Sequence, residues 1–140
     1  MPNTPPRLVA DGTIYPCRFV KMSAEKDFRG LQAEANDVLI GISYEGGKRP
    51  PLSDLVTDNP HAEAGDPIGL LGPGEQGLLE LGADATPNTK LKADGDGKGV
   101  PIAATGATLQ HYGAIALEGG KAGTKIQVIV ELGSVRPALV

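Results

Sequence analysis

Tyr112 to Leu132 reads YGAIALEGGKAGTKIQVIVEL, and this stretch decides the fold. From Ile126 the apolar residues fall on alternate positions, Ile126, Val128, Val130 and Leu132, with Gln127 and Glu131 opposite. That is the period of a half-buried strand. The preceding Gly113-Ala-Ile-Ala-Leu117 is short and apolar, and the segment between, Glu118 to Thr124, carries glycines at 119, 120 and 123. A β-hairpin with a loose, glycine-rich turn is the economical reading.

Working outward, the same signals recur. Gly12 to Lys21 (GTIYPCRFVK) reads as a strand, confined by Pro16 to an edge or a bulge because proline has no amide to give a ladder. Phe28 to Ala33 and Asp37 to Ser43 are the next candidates. DPIGLL and GLLEL follow as two short strands around the loop Gly72 to Gly77. Leu91 leads into a tight turn at Asp94 to Gly99 and out along Val100 to Ala103. The 20 glycines and 12 prolines show no short period and sit between apolar runs, so they read as turns. The expected fold is all-β, a small β-barrel, β-tulip or sandwich with an extended N-terminal arm and long loops. The expected organisation is an arm over 1–11 and a single β domain over 12–140.

The two halves of the chain resemble each other. Arg18-Phe-Val-Lys, a polar turn to Gly30, a short strand and Gly41-Ile-Ser-Tyr-Glu-Gly-Gly line up with Lys90-Leu-Lys, a polar turn to Gly99, a short strand and Ala114-Ile-Ala-Leu-Glu-Gly-Gly. The offset is roughly 70 residues, with small gaps, and two copies are too few for a solenoid. Two related strand–turn–strand units, about 13–47 and 88–132, fit one small barrel or sandwich; chance similarity between glycine-rich β segments is the alternative.

Composition narrows the function. The chain has 140 residues and a net charge of −4 with scattered Lys and Arg, which argues against a nucleic-acid footprint. The single cysteine, Cys17, cannot form an internal disulfide and reads as a small core or interface side chain. MPNTPPRLV lacks the blocks of a signal peptide, and no run approaches the ~20 apolar residues of a membrane helix. A soluble protein made in a cytoplasm, with no membrane partner, is expected.

No catalytic constellation stands out. The glycines of 72–77 lack the Gly-Lys-Ser/Thr of a phosphate loop. Asp94-Gly-Asp-Gly-Lys-Gly resembles the opening of a calcium loop, but position twelve counted from Asp94 is Thr105 where a bidentate Glu is needed. A hairpin turn is the favoured reading and a bound ion the alternative. His61 and His111 each stand alone, and the carboxylates are spread over turns. No catalytic or metal site, no cofactor and no enzymatic activity are expected.

Two stretches break the β pattern. Met1 to Asp11 has three prolines that hold it extended, either as a free terminus or as a segment lying on a partner. Tyr44 to Asn59, YEGGKRPPLSDLVTDN, is a long loop in which LSDLV can make one helical turn capped by Ser53. Such a loop is either solvated or ordered by a partner.

Taken together, Tyr15-Pro-Cys-Arg-Phe-Val-Lys, Gly41-Ile-Ser, Gly72-Pro-Gly with Leu79-Glu-Leu, Leu91-Lys-Ala-Asp with Gly97-Lys-Gly-Val, and Gly113-Ala-Ile-Ala-Leu-Glu with Ala122-Gly resemble the small capsid decoration, or cement, proteins of tailed bacteriophages. The resemblance runs from about Gly12 to Leu132 and lies in the order and spacing of turns. It implies a β-barrel or tulip-like domain that forms a homotrimer on the outer surface of the expanded head. There it would clamp adjacent major capsid proteins through several modest contacts acting together. On that reading Thr4, Pro5, Pro6, Arg7 and Leu8 run along capsid protein, and Lys48, Arg49, Pro50, Pro51 and Leu52 contact capsid or a neighbouring protomer. Two alternatives are another virion β module, of tail, baseplate or glycan-binding type, and a trimeric enzyme that brings Asp94, Asp96, His61 or His111 together between chains.

Overall fold

The computed structural model describes residues 8–35, 37–44, 61–103 and 109–135. These residues form ten strands and, among them, no helix: β1 (Val9–Ala10), β2 (Phe19–Met22), β3 (Arg29–Gln32), β4 (Gly41–Ser43), β5 (Leu70–Leu71), β6 (Gln76–Glu80), β7 (Lys90–Ala93), β8 (Gly99–Pro101), β9 (Gln110–Ala116) and β10 (Lys125–Val135). The fold is all-β. It consists of two five-stranded sheets, ordered β1-β3-β2-β4-β5 and β6-β10-β9-β7-β8.

The β9–β10 hairpin is the backbone of the second sheet. Val128, Ile129 and Val130 pair with Ala116, Ile115 and Ala114, and the register slips by one residue before Gly133 meets Tyr112. Alternation places Ile126, Val128 and Val130 in the core while Lys125, Gln127 and Glu131 stay exposed. Burying such a side chain stabilises the fold by roughly 1.5–3 kcal/mol, which is why the alternating pattern fixes the register so firmly.

Residue by residue, the sheets share one pairing plan. Phe19 and Val20 pair with Ile42 and Gly41, as Lys90 and Leu91 pair with Ile115 and Ala114. Met22 faces Gly30 as Ala93 faces Gly99. Each sheet curls until its outer strands meet. Ala10 runs parallel to Gly30 and donates its amide to Asp66. Leu81 bridges Gly99 in parallel and donates to Thr124. Even the lone bridges correspond, Ile14 with Ala62 and Ala85 with Gly120.

The cores divide accordingly. Ala10, Ile14, Val20 and Ala62, with Ile40, Ile68 and Leu70 beside them, fill the first sheet. A larger cluster fills the second, where Leu81, Leu91, Ile126 and Val128 are central, and extends through Phe19, Ala33, Leu39 and Ile42 into the space between the sheets.

Several details differ from the sequence reading. Leu132, expected to continue the buried alternation, is exposed, because the register slips after Val130. Gly12 to Lys21 is not one strand: a turn at Pro16–Cys17 interrupts it, with Cys17 at φ 60°, so only Phe19 onward joins the ladder. Val9 and Ala10, which the reading placed in the arm, form β1, and Ala10 is fully buried. Phe28 lies before β3, in the turn that follows β2, with φ 54°. The helical turn expected at LSDLV and its Ser53 cap lie outside the described residues.

Candidate functional site

Of the residues expected to touch a capsid, Thr4, Pro5, Pro6 and Arg7, and Lys48, Arg49, Pro50, Pro51 and Leu52, lie outside the described residues. Leu8 is described. Its carbonyl accepts the amide of Ile68 (3.0 Å), and its side chain lies beside Gly30.

The residues with chemical potential are each absorbed locally. His61 Nε2 accepts the amide of Gly69 (3.0 Å), edge-on to Tyr44. His111 Nδ1 lies 2.7 Å from Ser134 Oγ across the β9–β10 ladder. Cys17 is fully buried. Asp94 Oδ1 accepts the amides of Asp96 (2.8 Å) and Lys98 (3.0 Å). That is the geometry of an Asp side chain stabilising its own turn. Among the described residues no group of three or more His, Cys, Asp or Glu could hold a metal ion.

The structure instead brings two turns to prominence. The first, between β7 and β8, joins the sheets. The Gly97 carbonyl accepts the amide of Phe19 (2.8 Å), and the Asp96 carbonyl accepts Arg18 Nη1 (2.8 Å). Gly97 has φ 77°, and a Cβ there would meet Gln32 Cγ at 2.9 Å and the Ala33 carbonyl at 3.1 Å. Only glycine suits both demands. A polar rim flanks the contact: Glu80 Oε2 lies 3.3 Å from both Arg18 Nη2 and Lys98 Nζ. The Arg18 guanidinium also lies over the Tyr15 ring, 5.6 Å from its centroid, while its buried Nε has no acceptor.

The second turn, between β2 and β3, occupies the corresponding place in the first sheet. It is open to solvent: Phe28 is 53% and Met22 43% exposed. The sequence reading gave a polar turn leading to Gly30 but began the next strand at Phe28, which lies in the turn. The signal was available, since aligning Gly30 with Gly99 sets Phe28 opposite Gly97.

The architecture defines a class: an all-β protein of two curled five-stranded sheets. No protein-family model matches the chain, and the comparison with curated proteins returns no match. Among solved structures the fold is similar to the N base of head fiber gp8.5 of bacteriophage phi29. The TM-score is 0.57 at 16% sequence identity, covering 88% of this chain and 89% of that one.

Proposed function

We propose that this chain is a structural protein of a phage virion, a decoration or cement protein. It would bind the outer surface of the head and stabilise the expanded shell by clamping adjacent major capsid proteins as a homotrimer. The observation that carries the reading is the likeness to a phage head fiber base along nearly the whole of both chains. The order of turns that resembles the decoration proteins adds to it. A clamp of this kind needs a rigid body, and the two packed cores supply one. The proposed role is mechanical, with no catalysis, no cofactor and no nucleic-acid or membrane partner.

The test is co-sedimentation of the purified full chain with expanded empty heads of its phage, against a chain starting at Leu8. That start keeps β1 and removes only 1–7 from the proposed docking arm. Saturable binding, weakened by the truncation, is expected. Full-length protein left in the supernatant would turn attention to tails and cell-surface glycans.

A further inference from the structure

We propose that the β2–β3 turn, carrying Phe28, docks head to tail on the second sheet of another copy of this chain, around Lys90, Ile102 and Tyr112. This takes up the self-association part of the proposed function and names its surface.

The argument starts from the joint inside the chain. The β7–β8 turn seats on Phe19, Gln32 and Ala33 of the first sheet through the Gly97 carbonyl and a glycine that leaves no gap. The common pairing plan gives that turn a counterpart, Ser23 to Phe28, and gives its seat a counterpart on the second sheet. The amide of Ala33 bonds the carbonyl of Phe19 as that of Ile102 bonds Lys90, so Lys90 and Ile102 stand where Phe19 and Ala33 stand. Repeating this placement would set the second sheet of one copy against the first sheet of a further copy, at a wider spacing, because Phe28 brings a Cβ where Gly97 has none. An interface of this kind is heterologous, closing into a ring or continuing as a filament.

The turn itself has the character of a docking element. A bulky side chain at positive φ is a true outlier. Phe28 holds φ 54° where its counterpart is glycine, and it is 53% exposed, as Met22 at the end of β2 is 43% exposed. Strain of this sort persists where surroundings or a function demand it, and a large exposed aromatic is the residue type that anchors interfaces.

The receiving surface suits it. Lys90 Nζ lies over the Tyr112 ring, 4.9 Å from its centroid, so the half-buried seat offers a cation and the rim of an aromatic ring. The incoming turn carries exposed Glu25 and Asp27, while its one cation, Lys26, is already 3.2 Å from Asp11. Acidic turn and basic seat are complementary.

Sedimentation velocity of the full chain over about a hundredfold range of concentration tests the proposal. The wild type should associate. Phe28→Gly should weaken association at least roughly tenfold while its thermal midpoint holds or rises, because glycine relieves the strained φ. Lys90→Glu should weaken association too. A wild type that stays monomeric overturns the proposal, as does a folded F28G protein that associates undiminished. Parallel co-sedimentation with heads separates the two readings. Heads bound by a monomeric wild type, and lost in F28G, would place the turn on the shell and end this proposal alone. Association without head binding would end the cement reading alone.

Discussion

Gly113 presents bare backbone to Phe19: a Cβ added at Gly113 would stand 2.7 Å from Phe19 Cε1 and 2.8 Å from Leu39 Cδ1. The missing side chain lets Phe19 of the first sheet and Leu39 pack directly on the β9 backbone. Gly113→Ala should therefore destabilise the protein by about 1–3 kcal/mol, as overpacking of a rigid core does. Urea unfolding measures it. Phe19→Leu in the same chain should recover part of the loss, and a double-mutant cycle showing strict additivity would refute the contact.

Val128 is fully buried at the centre of β10. Val128→Asp should abolish folding, since an unpaired carboxylate would enter an apolar core. A soluble V128D protein with the native circular dichroism would mean that the strand register is wrong. Leu91→Ala, at an equally buried site of β7, should cost about 2–5 kcal/mol and leave the fold intact.

The hairpin was legible in the sequence for a physical reason. Period-two alternation in β10 and the glycine-rich turn before it are local signals, and antiparallel neighbours follow directly from them. The β7–β8 turn was equally plain. The first sheet was less so. β1 pairs in parallel with β3 across a long stretch of chain, and nothing local in Val9–Ala10 announces a partner. The break at Cys17 was hidden because a cysteine with positive φ leaves no compositional trace, although its counterpart, Asn88 at φ 67°, is a residue type that favours that conformation. No reading of separate residues joins Arg18 to Glu80 or Gly97 to Phe19, because those contacts exist only once both sheets have formed.

Arg18 should matter more than an exposed cation. It joins Asp96, Glu80 and the Tyr15 ring with its side chain only 15% exposed. Arg18→Ala should cost about 1–3 kcal/mol. Lys26→Ala, which removes the exposed pair with Asp11, should cost no more than ~1 kcal/mol. Equal losses in the two variants, read by urea unfolding, would show that the polar rim contributes nothing special.

Cys17 should be silent toward thiol reagents in the native protein, because no part of it reaches solvent. Labelling should appear only with unfolding, at a rate that follows global opening. Prompt modification of the folded chain would show that the Pro16–Cys17 turn opens on its own.

Calcium or magnesium at millimolar concentration should leave the thermal midpoint unchanged. Asp94 Oδ1 is engaged by two backbone amides, and among the described residues no group of three or more His, Cys, Asp or Glu stands ready to hold an ion. A rise of several degrees would reveal a bound ion.

The meeting of outer strands at Val9–Pro67 and Leu81–Gly99 also bears on behaviour in crowded solution. A free strand edge is a template on which other chains can zip into aggregates. The isolated bridges where each sheet curls back on itself use the backbone groups of those residues internally. At those seams another chain finds no open backbone to extend, which removes one route toward cross-β assembly.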